Sequence, residues 1–200
     1  MPWLWPKPRK ALASKRNVQA ASGKTKAAVL ADQRLQRLAR KLDAIPAKDA
    51  ERLAQAQEIE RKQLEAAQQL HQLCADFVTS LNNLLSQMKV EFTPPNSPTS
   101  ELYSRPGALF QINASGRIIQ ITFQAKESKA STEHFRIPYI LEGRICSFNP
   151  ELLDRQEVFE QQIFYCLDGA GDHWRYYNPR TRSSGPLTRD FLIETLEQLL

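Results

Sequence analysis

Few side chains in this sequence carry reactive chemistry. It has three histidines, His71, His134 and His173, and three cysteines, Cys74, Cys146 and Cys166. His71 and Cys74 form an H-x-x-C pair whose spacing places both near one face of a helix, but a zinc site needs a second pair, and none is near in sequence. Cys74 also belongs to an apolar stripe, where a thiol packs as a small hydrophobe. His134 and His173 are of the type that serves as general base, yet neither accompanies a Ser or Cys in a nucleophile context such as G-x-S-x-G. The chain has no H-E-x-x-H and no glycine-rich phosphate loop. Asp168-Gly169-Ala170-Gly171-Asp172 resembles a phosphate cradle superficially, but its flanks read as two strands, so a hairpin loop is expected. No triad, acid pair or metal geometry assembles. The expectation is a non-enzyme with no cofactor and no metal. An enzymatic alternative would centre on His173, with Arg175 and Arg180.

Charge is the stronger signal. The net charge is +5, but residues 1–41 hold eleven Lys/Arg against one acid, Asp32, an excess of +10 that leaves −5 for the remainder. Lys7, Arg9, Lys10, Lys15, Arg16, Lys24 and Lys26 have no acid among them and form a candidate anion-binding set. A polyanion such as nucleic acid would release counterions on binding them, with steep salt dependence. No base-reading motif accompanies them, so such binding should tolerate any sequence. Trp3 and Trp5 lie among Pro2, Pro6 and Pro8 in an extended segment and are candidate docking residues. Beside the lysines they also suit a membrane interface. The stretch from His173 to Arg182 interleaves aromatics with arginines, so Trp174, Arg175, Tyr177, Arg180 and Arg182 are further docking candidates. The simpler reading is a strand with Trp174 and Tyr176 inward, Arg175 and Tyr177 toward water, and Arg180 and Arg182 in a loop.

The elements that must position these groups fall into four stretches. Residues 1–24 read as a disordered basic arm. Residues 25–90 read as a helical or coiled-coil region. Ala31, Leu35, Leu38, Leu42 and Ile45 repeat at four-three spacing, Pro46 breaks the pattern, and nothing breaks a helix from Asp49 to Lys89. Leu70, Cys74, Phe77, Leu81, Leu84 and Met88 form a second stripe, which must be covered. Residues 91–104 read as a proline-rich linker.

In residues 105–200 the period changes from 3.6 to 2. Phe110 and Ile112, a turn at 113–116, and Ile119, Ile121 and Phe123 predict a hairpin with one wet face. A loop at 126–133 precedes a third strand through Phe135, Ile137, Tyr139 and Leu141. Asn149-Pro150-Glu151 starts a helix, which ends near Gln156 or runs to Gln162. Strands follow at 163–167 and 173–177, then a helix capped by Thr188. The predicted fold class is α+β: a helical extension, then one antiparallel sheet of about five strands with helices on one face, in the order α-βββ-α-ββ-α.

That order is loosely similar to the order in the small dimeric chaperones of bacterial type III secretion, with no shared motif; the arm and polar helix have no counterpart there. The odd cysteine count without a CxxC pair suggests a reducing, cytoplasmic setting. No run of about 18 apolar residues predicts a membrane span, and the N-terminus has no secretory apolar core. The expected function is an interaction or adaptor protein. Its basic arm would bind an anionic partner, nucleic acid first, with a protein partner on the α+β part and a homodimer through helices 25–90 as one arrangement. The alternative is a chaperone-like protein that holds a client on the α+β part.

Overall fold

The computed structural model describes residues 26–96, 108–132, 135–168 and 171–200, with side chains from Leu30 onward. The disordered arm expected at 1–24 lies outside them. The chain divides between Asp49 and Ala50 into two units.

In the first unit, helix α1 spans Lys26–Asp43, and helix α2, Ile45–Leu84, begins after one residue. Ala44 N–H donates to the Arg40 carbonyl at 3.2 Å, and Lys48 N–H donates to that of Ala44 at 3.2 Å. Helical hydrogen bonding therefore continues across the joint. Pro46, second in α2, supplies no N–H, so its influence is local.

The second unit is α+β, as the periodicity predicts. Its strands are β1 (Glu91–Thr93), β2 (Ala108–Ala114), β3 (Arg117–Ala130), β4 (Tyr139–Phe148), β5 (Phe159–Cys166), β6 (His173–Tyr177) and β7 (Ser184–Pro186). They form an antiparallel meander in sequence order, seven strands among the described residues rather than five. Helix α3 (Pro150–Asp154) lies between β4 and β5, and helix α4 (Arg189–Glu197) follows β7. Asn149 caps α3, its Oδ1 accepting from Leu152 N–H at 2.8 Å. Thr188 caps α4 by accepting from Phe191 N–H at 3.4 Å.

One sheet face is dry. Phe110, Ile112, Ile119, Ile121, Phe123, Ile145, Ile163 and Trp174 share a core with Ala66, Leu70, Cys74, Phe77 and Val78 of α2 and with Phe191, Leu192 and Leu199 at the C-terminal end. Burying a leucine such as Leu70 contributes about 1.5–3 kcal/mol, and Leu70 is 0% exposed. Polar clips fix where α2 lies. Trp174 Nε1–H donates to the Ala66 carbonyl at 2.8 Å. Lys62 Nζ meets Asp172 Oδ2 at 2.6 Å. His71, with its proton on Nε2, donates to the Pro94 carbonyl at 3.0 Å. Buried Gln63 donates both amide hydrogens, to Lys126 O at 2.8 Å and Ile140 O at 3.1 Å. Those carbonyls lie where the β3–β4 register shifts, between Ala125 and Ala130 and between Tyr139 and Leu141. A bulge interrupts the ladder, and Gln63 replaces the missing donors.

Several expectations need correction. Helix α2 ends at Leu84, not Lys89, so Leu84 is 81% exposed and Met88 is also exposed. The cause is Asn82, whose side chain bonds both Val90 N–H (2.7 Å) and Val90 O (2.9 Å), turning the chain back and burying Val90. Residues 91–93, expected as linker, are strand β1, and Phe92 packs on His71 and Phe110. Most of the expected 126–133 loop is strand, because β3 continues past its bulge to Ala130. Phe135 is not in a strand with Tyr139, and Ile140 and Leu141 are buried in succession at the register shift. The helix after Asn149 stops at Asp154, and β5 begins at Phe159, ahead of the expected 163.

Candidate interaction surfaces

Helix α1 and the first turn of α2 carry the first surface. Leu35, Leu38, Leu42 and Ile45 fall at heptad positions a, d, a and d, an apolar seam, yet they are 66%, 53%, 55% and 46% exposed. One flank of the seam, position g, holds Arg34, Lys41 and Lys48, and Arg37 and Arg40 stand farther around, all exposed. The other flank holds Asp32, Ala39 and Pro46. The basic excess read from the sequence thus continues onto a helix face. Lys26 opens α1, its side chain outside the description. Lys7, Arg9, Lys10, Lys15, Arg16, Lys24, Trp3 and Trp5 also lie outside the described residues.

The second surface is the face of the sheet turned away from the helices. Pairing places Gln111, Gln120 and Cys146 in one row, Thr122, Arg144 and Gln162 in the next, and Gln124, Glu142 and Phe164 in a third. Glu142 is the hub. It meets Lys126 Nζ at 2.5 Å and accepts from Gln124 Nε2 at 2.9 Å and Tyr139 OH at 3.3 Å. Burial pushes its carboxyl up, but the hydrogen bonds from Lys126 and Gln124 outweigh burial and hold it below the ordinary glutamate value. Beside it opens a cavity of about 520 Å³, lined by Thr122, Tyr139, Glu142, Arg144, Glu160 and Gln162 among others. One end is walled by a small aromatic cluster of Phe135, Tyr139, Phe164 and Tyr177, in which Phe135 stacks on Phe164 at 4.3 Å.

No family model matches this chain, and no curated protein or solved structure is significantly similar to it. The aromatic–arginine stretch does not come together as one stacking surface. Trp174 is buried on the helix side, where Tyr176 stacks on Phe191 at 4.6 Å. Tyr177, expected to face water, is buried in the outer aromatic cluster, because the 135–139 segment covers that end of the sheet. Arg175 is half-buried with Nη1 3.4 Å from His173 Nε2, and its Nε has no protein partner. Arg180 and Arg182 are exposed in the turn after β6, which Asn178 organises by accepting from Arg180 N–H and Thr181 N–H at 2.9 and 3.3 Å.

The hydrogen bonds of His173 fix its tautomer. Nδ1–H donates to the Gly171 carbonyl at 2.8 Å, which leaves Nε2 to accept from Arg175. The accepting nitrogen therefore faces a guanidinium rather than a hydroxyl or thiol. His134 lies outside the described residues. Burial pushes the Cys74 and Cys166 thiols up to about 12, far from the thiolate form that reacts. Among the described residues no three His, Cys, Asp or Glu side chains gather as a metal site, and no helix is long and apolar enough to cross a membrane. Sequence reasoning missed Gln63, Gln124 and Glu142. Their roles depend on the β3–β4 register, which no local pattern encodes.

Proposed function

We propose that this chain is a non-enzymatic interaction protein whose basic N-terminal region holds a polyanion, nucleic acid without sequence preference. The observation that supports this reading is the run of exposed basic side chains on α1 at Arg34, Arg37, Arg40 and Lys41, directly after the seven Lys/Arg of residues 7–26. On a duplex, each phosphate neutralised adds salt dependence. The α+β unit, with its opposite charge balance, is the part left to a protein partner. The test is gel-shift titration of the full chain on random-sequence duplex and single-stranded DNA. Binding is expected at about 50 mM salt, to fall steeply by about 200 mM, and to vanish on deletion of residues 1–26. Salt-independent binding, or none, overturns it.

A second reading, a chaperone-like adaptor, is favoured by the concave outer face of the sheet beside Glu142 and Gln162. It predicts a salt-tolerant protein complex that survives deletion of residues 1–26.

A further inference from the structure

The leucine seam of α1 has a use that polyanion binding leaves unassigned. Leu35, Leu38, Leu42 and Ile45 are all about half exposed or more, and the residues between them are polar, charged or small. Solvated helix faces rarely keep four large apolar side chains in heptad register. The flanking charges discriminate among ways of covering the seam. In an antiparallel pair, position g faces position g, so Arg34, Lys41 and Lys48 would oppose one another. In a parallel pair, g faces e of the next heptad, so Arg34 meets Ala39 and Lys41 meets Pro46 of the second copy, with no like-charge clash.

Parallel pairing has a second consequence. Residues 1–25 precede α1, so both basic segments leave the pair at the same end. Each copy repels the other there until a polyanion neutralises both. The seam from Leu35 to Ile45 is short, about one and a half heptads, and coiled coils this short are marginal alone. A shared polyanion raises the effective concentration of the second helix into the millimolar range.

We propose that α1 and the first turn of α2 pair in parallel with the same segment of a second copy through Leu35, Leu38, Leu42 and Ile45, and that polyanion binding drives the pairing. The proposal rests on the nucleic-acid reading above and adds the partner and its orientation.

The experiment uses the full chain, a duplex of about 30 base pairs, and the double variant Leu35→Glu/Leu42→Glu, whose altered side chains are exposed and leave the core untouched. Wild type is expected to load two copies per duplex cooperatively. The variant is expected to load singly, with apparent affinity lower by tenfold or more. Equal cooperativity and stoichiometry in both chains overturns the pairing and leaves the seam to another protein. Orientation is read from cysteine cross-linking on the duplex. The Ala31→Cys variant alone is expected to give disulfide-linked dimers, because parallel pairing sets that position beside its own counterpart. A mixture of Ala31→Cys and Asp49→Cys that cross-links mainly between the two variants overturns the parallel arrangement, because an antiparallel pair through the same seam sets position 31 beside position 49. If neither chain binds any duplex, the nucleic-acid reading falls separately. The pairing is then judged by sedimentation of the free chains at about 1 mM, the effective concentration the duplex would have supplied: dimers for wild type alone support it, and monomers for both overturn it.

Discussion

Two stripes of the same spacing meet opposite fates in this molecule. Ala31, Leu35, Leu38 and Leu42 on α1, with Ile45 at the start of α2, repeat every three or four residues, and so do Leu70, Cys74 and Phe77 farther along α2. The first set faces solvent and the second is buried against the sheet. Periodicity defines a face, but not whether anything covers it. What separates the two is the company each stripe keeps. The α2 stripe comes with Gln63, Lys62, Ala66 and His71, each bonded to a strand or its neighbouring loop. The α1 stripe comes with arginines and lysines, which favour water or an anion.

Substitutions that shorten matching positions should break the symmetry of spacing. The largest effect is expected from Leu70→Ala, about 2–5 kcal/mol of lost stability through transfer and cavity terms, read by chemical denaturation. A loss under about 0.5 kcal/mol would mean that α2 does not roof the sheet.

Next is Gln63→Ala, expected to cost about 1–3 kcal/mol because two bulge carbonyls lose their donor inside the protein. Hydrogen exchange should speed up near the bulge at residues 126–130 and 139–141. Unchanged stability would show that the clip is incidental.

A smaller effect, about 1 kcal/mol or less for a partly exposed ion pair, is expected from Glu142→Gln, and it tests the helix-free face. The folded-state pKa of Glu142 lies below its unfolded value of about 4.3. Its contribution is therefore present above that pH and lost as pH falls through the folded value. Melting temperatures measured from about pH 7 to pH 3 should show a shallower acid decline in the variant; parallel curves would remove Glu142 from the account.

The smallest effect is expected from Leu35→Ala, within about 0.5 kcal/mol of wild type. A core-sized loss there would show that the α1 seam is covered within the isolated chain.

How much of this could be read beforehand follows from where the information sits. The α+β class, the hairpin at Asn113–Gly116, and the caps at Asn149 and Thr188 are local, and each has a local physical cause. In that hairpin both Ser115 and Gly116 take positive φ, which suits a two-residue turn. The end of α2 was not readable, because it depends on Asn82 reaching Val90 eight residues later, with no Gly or Pro to mark the stop. Strands β1 and β7 were missed because each is three residues long, too short for alternation to register. Alternation alone turns Tyr177 toward water, whereas Phe135 and Tyr139 cover that end of the strand's second face. Of the candidate surfaces, the charge of α1 was visible in composition. The Glu142 hub required knowing which strand residues sit side by side.

The brevity of β1 and β7 also governs how copies of this protein can meet. Pro94 directly follows β1 and Pro186 ends β7, and neither offers an amide hydrogen to an arriving chain. Among the described residues, β1 and β7 each offer an arriving strand only three residues. Growth of fibres through these two strands is thereby discouraged.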